Sequence, residues 1–179
     1  LAERPGWPSL LGVFLLMFLA QAIGSAFNIA YNLLHIPPLL TEAQQASFKG
    51  SIAVFNALAY PPLVLLWAVA VFRFRRPIRD AETLRKRQRQ AIHLPFLAAA
   101  IAAAGWLLSI PALFAGMTLS GEAVNPHVWF HFPVSICIAA VVALTIGFFS
   151  IDWARQRLLF PCLFRDISPA RLEGAHRLS

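Results

Sequence analysis

Long runs without a charge dominate the chain. Between Arg4 and Glu42 lie 37 residues with no Asp, Glu, Lys or Arg; between Lys49 and Arg73 lie 23. Between Arg89 and Glu122 lie 32, and between Glu122 and Asp152 lie 29. A helix needs about 20 apolar residues to cross the hydrocarbon core of a bilayer. Each run is long enough for one crossing and short for two with a turn. The pattern predicts four spans, Ser9–Leu33, Ile52–Phe72, Leu94–Met117 and His131–Trp153. A buried soluble bundle would need polar faces on some of its helices, and these runs carry no charged face. The expected fold is all-α, an integral membrane four-helix bundle. Residues 1–153 form its transmembrane domain, and residues 154–179 a cytoplasmic juxtamembrane tail leading to an output domain outside this sequence.

Composition agrees with that class. The chain is 59% hydrophobic and 13% charged, where a soluble domain has about 45–50% and about 25%. Such hydrophobicity excludes disorder. Two cysteines exclude a disulfide scaffold. Cys137 and Cys162 stand about 37 Å apart along one helix, too far to bond.

Charge sets the orientation. The net charge is +7, and its placement matters more than its size. Arg73, Arg75, Arg76, Arg79, Arg85, Lys86, Arg87 and Arg89 lie between spans two and three. Arg155, Arg157, Arg165, Arg171 and Arg177 follow span four, and Arg4 precedes span one. Only Lys49 falls in an opposite loop. Positive residues mark the cytoplasmic side. Both termini are therefore expected in the cytoplasm of a multi-pass inner (plasma) membrane protein, with the loops at Glu42 and Glu122 outside. The basic blocks read as topology signals and contacts with anionic lipid. They do not read as a nucleic-acid groove, which requires a basic face on a soluble surface. Trp7 and Trp153 inside and Trp129 outside fit an interfacial aromatic belt.

Punctuation residues refine the spans. Pro37-Pro38 ends span one. Thr41 reads as the N-cap of a short outer helix. Pro61-Pro62 and Pro111 predict kinks in spans two and three. Asp80 to Lys86 could form a helical turn or two, and Asn125-Pro126 reads as a cap opening span four. Leu158–Phe164 is too short to cross and is expected along the inner interface.

Two polar features stand out within the spans. Gln21, Ser25, Asn28, Asn32 and His35 are spaced by four, three, four and three residues and share one helical face. Asn56 and Tyr60 form an i,i+4 pair in span two, and Ser109, Ser135 and Thr145 offer partners. In lipid such a face points into the bundle. It serves either as interhelical glue or as the wall of a cavity that takes a small ligand from outside. The candidate ligand-binding set is Gln21, Ser25, Asn28, Asn32, Asn56 and Tyr60. His127 and His131 share a face and, with His35, form a candidate metal set. A pH-sensing histidine is a further reading. No P-loop, dinucleotide fingerprint, nucleophile elbow or CxxC pair is present, so these residues suggest no catalyst.

Three stretches carry a resemblance. They are Phe27-Asn28-Ile29-Ala30-Tyr31-Asn32 leading to Ile36–Thr41, then Asn56-Ala57-Leu58-Ala59-Tyr60-Pro61-Pro62, and His131-Phe132-Pro133-Val134-Ser135 leading to Arg157–Pro161. Together, over about Ser9 to Phe164, they resemble the N-terminal membrane region of bacterial class III adenylate/guanylate cyclases. Similar regions also precede sensor histidine kinases and phosphatases. The resemblance implies a sensor or anchor module, a cytoplasmic output domain in the same polypeptide and a homodimer. It implies no cofactor in this region, and the cyclase metal ligands would lie in the output domain. A contrasting expectation is a self-contained small transporter, or a haem- or metal-binding membrane bundle.

Overall fold

The computed structural model describes residues 5–164. Among these residues the chain is all-α. Helix α1 spans Trp7–His35, α2 Glu42–Phe72, α3 Ala81–Ile92, α4 Leu94–Thr118, α5 Pro126–Ala154 and α6 Phe160–Leu163. Four helical segments, Trp7–Asn32, Glu42–Arg75, Leu94–Thr118 and Pro126–Leu163, are long and apolar enough to cross a membrane.

Local chemistry sets the helix starts. Thr41 accepts from the Gln44 amide while Gln44 Oε1 accepts from the Thr41 amide, a reciprocal capping box. The helix it opens is not the short separate one expected. It runs without interruption from Glu42 to Phe72, through Pro61 and Pro62. Asp80 caps α3 through the Thr83 amide at 2.6 Å, so the expected turn or two is a helix of 12 residues. Asn125 caps α5 through the His127 amide at 2.9 Å, with Pro126 as its first residue.

Packing is sequential around the bundle. α1 lies on α5, α5 on α4 and α4 on α2, while α1 and α2 touch least among the neighbouring long helices. Small residues permit the close approaches. A Cβ added at Gly24 would sit 2.5 Å from the Ala143 Cβ and 3.0 Å from the Ala139 carbonyl. One added at Gly116 would collide with Ser51. Ser47 Oγ donates to the Gly116 carbonyl at 2.6 Å across the same α2–α4 seam.

Two cores result. At the end bearing the arginines of the α2–α3 connection, Leu10, Val13, Met17, Trp67, Val71 and Phe74 are buried together with Leu159 and Leu163. At the end bearing Glu42 and Glu122, Ile36, Leu40, Leu113, Met117, Phe132 and Ile136 form a second cluster. The first core adds to one expectation: the 158–164 stretch, too short to cross alone, packs into the bundle. A π-helical turn, Arg155–Leu159, joins α5 to α6 and carries Leu159 and Leu163 into the core. Arg165, Arg171 and Arg177 of the tail, and Arg4, lie outside the described residues.

Candidate functional site

Between the two cores lies a cavity of about 290 Å³. α1 contributes Gln21, Ser25, Asn28, Ile29 and Asn32; α2 contributes residues from Gln45 to Trp67, and α4 and α5 close the back. Gln21, Ser25, Asn28, Asn32, Asn56 and Tyr60 all line it. Two polar patterns on two helices therefore meet on one space. His35 is not among the lining residues.

The ring contacts at the base set the register of α1 against α2. Phe14 meets Phe72 at 5.5 Å between centroids, and Phe18 meets Trp67 at 5.8 Å. The helices are antiparallel. Continuing that pairing toward the Glu42 end sets Ser25 level with Tyr60, and Asn28 level with Asn56. The helices touch at the Phe18–Trp67 level, whereas from Gln21 and Leu63 upward both line the cavity.

The polar atoms fall into two groups. Some are satisfied within the protein. Asn32 Nδ2 donates to Asn28 Oδ1 at 2.9 Å, and Ser135 Oγ donates to Asn32 Oδ1 at 3.0 Å. Trp106 Nε1 donates to Gln21 Oε1 at 2.8 Å, and Ser109 Oγ to the Trp106 carbonyl at 2.6 Å. Of these, Ser135–Asn32 ties α1 to α5 and Trp106–Gln21 ties α1 to α4. The side chains of Ser25, Asn56 and Tyr60 make no hydrogen bond to the described residues. Trp67, 3% exposed, lines the deep end, and its indole N–H is buried with no acceptor among them. A buried donor left unmade costs about 1–3 kcal/mol; the cavity's own spare donors are those of Ser25, Asn56 and Tyr60. Thr145, an expected partner, is instead exposed on the outer face of α5.

A hydrogen-bonded cover closes the Glu42 end. Gln44 is fully buried, and its Nε2 donates to the Ala123 carbonyl at 3.0 Å. Thr41 Oγ1 donates to Glu122, and Gln45 Nε2 donates to the Pro37 carbonyl at 3.2 Å. Pro37, Leu40 and Gln45 thereby become part of the cavity wall, with Lys49 beside them.

The histidines do not converge. Tyr31 stacks near His35 with centroids 4.5 Å apart, and its hydroxyl lies 3.3 Å from His131 Nδ1. His127 is exposed on the first turn of α5. Among the described residues no group of three or more His, Cys, Asp or Glu could hold a metal ion. The set His35, His127 and His131 is therefore corrected: the fold does not gather it as three ligands.

At the opposite end α3 is tied to α6. Gln88 Nε2 donates to the Leu163 carbonyl at 2.9 Å. Asp152 accepts from Arg155 Nε and from Gln156 Nε2, both at 2.7 Å, across the start of the π-turn. The Thr83 amide holds the Asp80 carboxyl below its ordinary range, and burial followed by the nearby Arg76 lowers Arg87.

Sequence reasoning missed the aromatic part of the wall. Trp67 and Trp106 sit inside their spans, away from an interfacial belt where tryptophan needs no further explanation. That position was the available signal. Comparison with known proteins adds no name: no family model matches the chain, and no curated protein or solved structure shows significant similarity to it.

Proposed function

We propose that the chain is a four-span membrane module that senses a small ligand in its central cavity. Its termini face the cytoplasm of the inner membrane, and it passes its state to a cytoplasmic signalling enzyme. The carrying observation is the meeting of Ser25, Asn28, Asn56 and Tyr60 on one cavity with donors unspent. Within the bilayer such groups need a partner.

Four long apolar helices and the one-sided basic blocks support the membrane orientation. The route for a signal is α5. Its Phe132 and Ile136 line the cavity, and the same helix continues through the π-turn to Leu163, where Gln88 of α3 is attached. A ligand that prefers one packing of α1 against α5 shifts the population of the far end. The output this reading favours is a nucleotide cyclase, on the resemblance of the Asn28, Asn56 and His131 stretches.

The test is the Asn32→Leu, Asn56→Leu double variant of the intact protein in its own membrane. The expected result is changed cyclic-nucleotide output at unchanged membrane insertion. Losing the Asn28–Asn32–Ser135 chain costs about 0.6–1.7 kcal/mol in a membrane, too little to abolish folding. Unchanged output at equal insertion would reduce the polar centre to packing.

A further inference from the structure

The proposed sensing site leaves its ligand class open, and the cavity wall narrows it. Its length follows from the lining residues of α1. Gln21 to Ile36 spans about 22 Å at 1.5 Å per residue. A volume of about 290 Å³ over that length is a slot and not a chamber. Its side wall is weakest between α1 and α2, the least-packed neighbours. In a bilayer that seam faces lipid, so it admits a lipid-soluble molecule sideways.

The chemistry of the wall fixes the polar part of that molecule. Among the described residues Lys49, near the cover, is the one charged side chain lining the slot. Deeper down, the polar groups are neutral: Ser25 and Tyr60 hydroxyls, Asn28 and Asn56 amides. A buried anion or cation there would lack a counter-charge and cost several kcal/mol. The Asn56 amide and the Ser25 and Tyr60 hydroxyls can all donate. A ligand that spends these donors carries uncharged acceptors, and carbonyl oxygens on a ring are strong ones. Phe48, Phe55, Trp106 and Phe132 flank the same space, and aromatic walls favour a flat ring offset-stacked or edge-on.

We propose that the slot binds a lipid-soluble quinone, or a closely similar flat dicarbonyl ring, at the level of Asn28 and Asn56. Its apolar tail leaves between α1 and α2. The inference rests on the sensing reading for its biological use but not for its test.

Trp67 and Trp106 report on the slot directly, because quinones quench indole fluorescence on contact. The full chain in phosphatidylcholine nanodiscs is titrated with decylubiquinone. The expected result is a saturable quenching component above the linear partitioning background. It should weaken at least tenfold in Asn56→Leu and in Ala59→Leu, which fills the slot from α2. Leu58→Ala, on the exposed face of α2, should leave it unchanged. Circular dichroism melts confirm that each variant is folded; if Asn56→Leu unfolds, Asn56→Asp serves, since a charge there should also expel the quinone.

Linear quenching identical in all folded variants would overturn the proposal. So would displacement of the quinone by dodecanoate in a Lys49-dependent manner, which would identify an anionic head as the preferred group. If output responds to the Asn32, Asn56 double variant while the quinone never saturates, the ligand class falls and the sensing reading stands.

Discussion

The two ends of this bundle use the same four long helices for opposite purposes. Near the arginines, α1 and α2 are held together by Trp7, Phe14, Phe18, Trp67 and Phe72, with Met17 and Val71 sealed beneath. Near Glu42, α1 and α2 separate around a slot, and contact returns mainly at the Pro37–Gln45 cover. The contrast teaches where a bundle of helices long and apolar enough to cross a membrane spends its packing. Association in lipid depends on close van der Waals fit more than on water exclusion. A bundle sealed at one end can leave the other open, because the sealed end holds the register. The polar groups then divide: Gln21, Asn28 and Asn32 are spent partly within the α1–α4–α5 side, whereas Ser25, Asn56 and Tyr60 face the open space.

The largest expected effect comes from forcing α1 off α5. Gly24→Leu puts side-chain atoms against the Ala143 methyl and the Ala139 carbonyl, and backbone cannot yield. Overpacking of this kind costs about 1–3 kcal/mol, and the upper end is expected here. Thermal unfolding in detergent should show it, as should loss of the saturable quinone signal.

The next prediction compares the two ends by truncation. Met17→Ala, in the sealed core at 1% exposure, should cost about 2 kcal/mol, the low end for such a deletion because lipid removes most of the transfer contribution. Ile52→Ala, on the slot wall, only widens an existing space and should cost under about 1 kcal/mol. Equal losses from paired denaturant titrations would erase the distinction between the ends.

Much of this was legible in the residues, and for separable reasons. The spans follow from uncharged runs, which depend on composition alone. The caps at Thr41 and Asn125 follow from local hydrogen bonding. The alignment of Gln21, Ser25, Asn28 and Asn32 follows from helical period. That Asn28 would stand level with Asn56 was not legible, because it depends on the Phe14–Phe72 and Phe18–Trp67 contacts between two helices. The packing of residues 158–164 was not legible for a similar reason. Their shortness argued for an interfacial segment, but helix continuity through the π-turn carried Leu159 and Leu163 inward. Histidines at i,i+4 guarantee a shared face, and nothing in that spacing places a third ligand beside them.

The smallest effect concerns the N-cap of α3. The Thr83 amide lowers the Asp80 pKa in the fold, whereas a free Asp titrates near 3.9. The sign follows: the stabilisation is fully present above about pH 4 and is lost as pH falls through the lower folded value. Amide protection factors in α3, corrected for the intrinsic pH dependence of exchange, should therefore fall modestly at acid pH while those in α1 hold. Asp80→Asn keeps the cap without a titrating group and should abolish that difference.

The most direct test of the central claim, a bundle sealed at one end and open between α1 and α2 at the other, is an electron cryomicroscopy map. The full chain would be held in a lipid nanodisc and enlarged by a bound antibody fragment. The predicted map shows α1 and α2 in contact at Phe18 and Trp67 and parted at Asn28 and Asn56, with density between the two asparagines. A map in which α1 packs on α2 along its whole length, closing Asn28 directly on Asn56, would contradict the account.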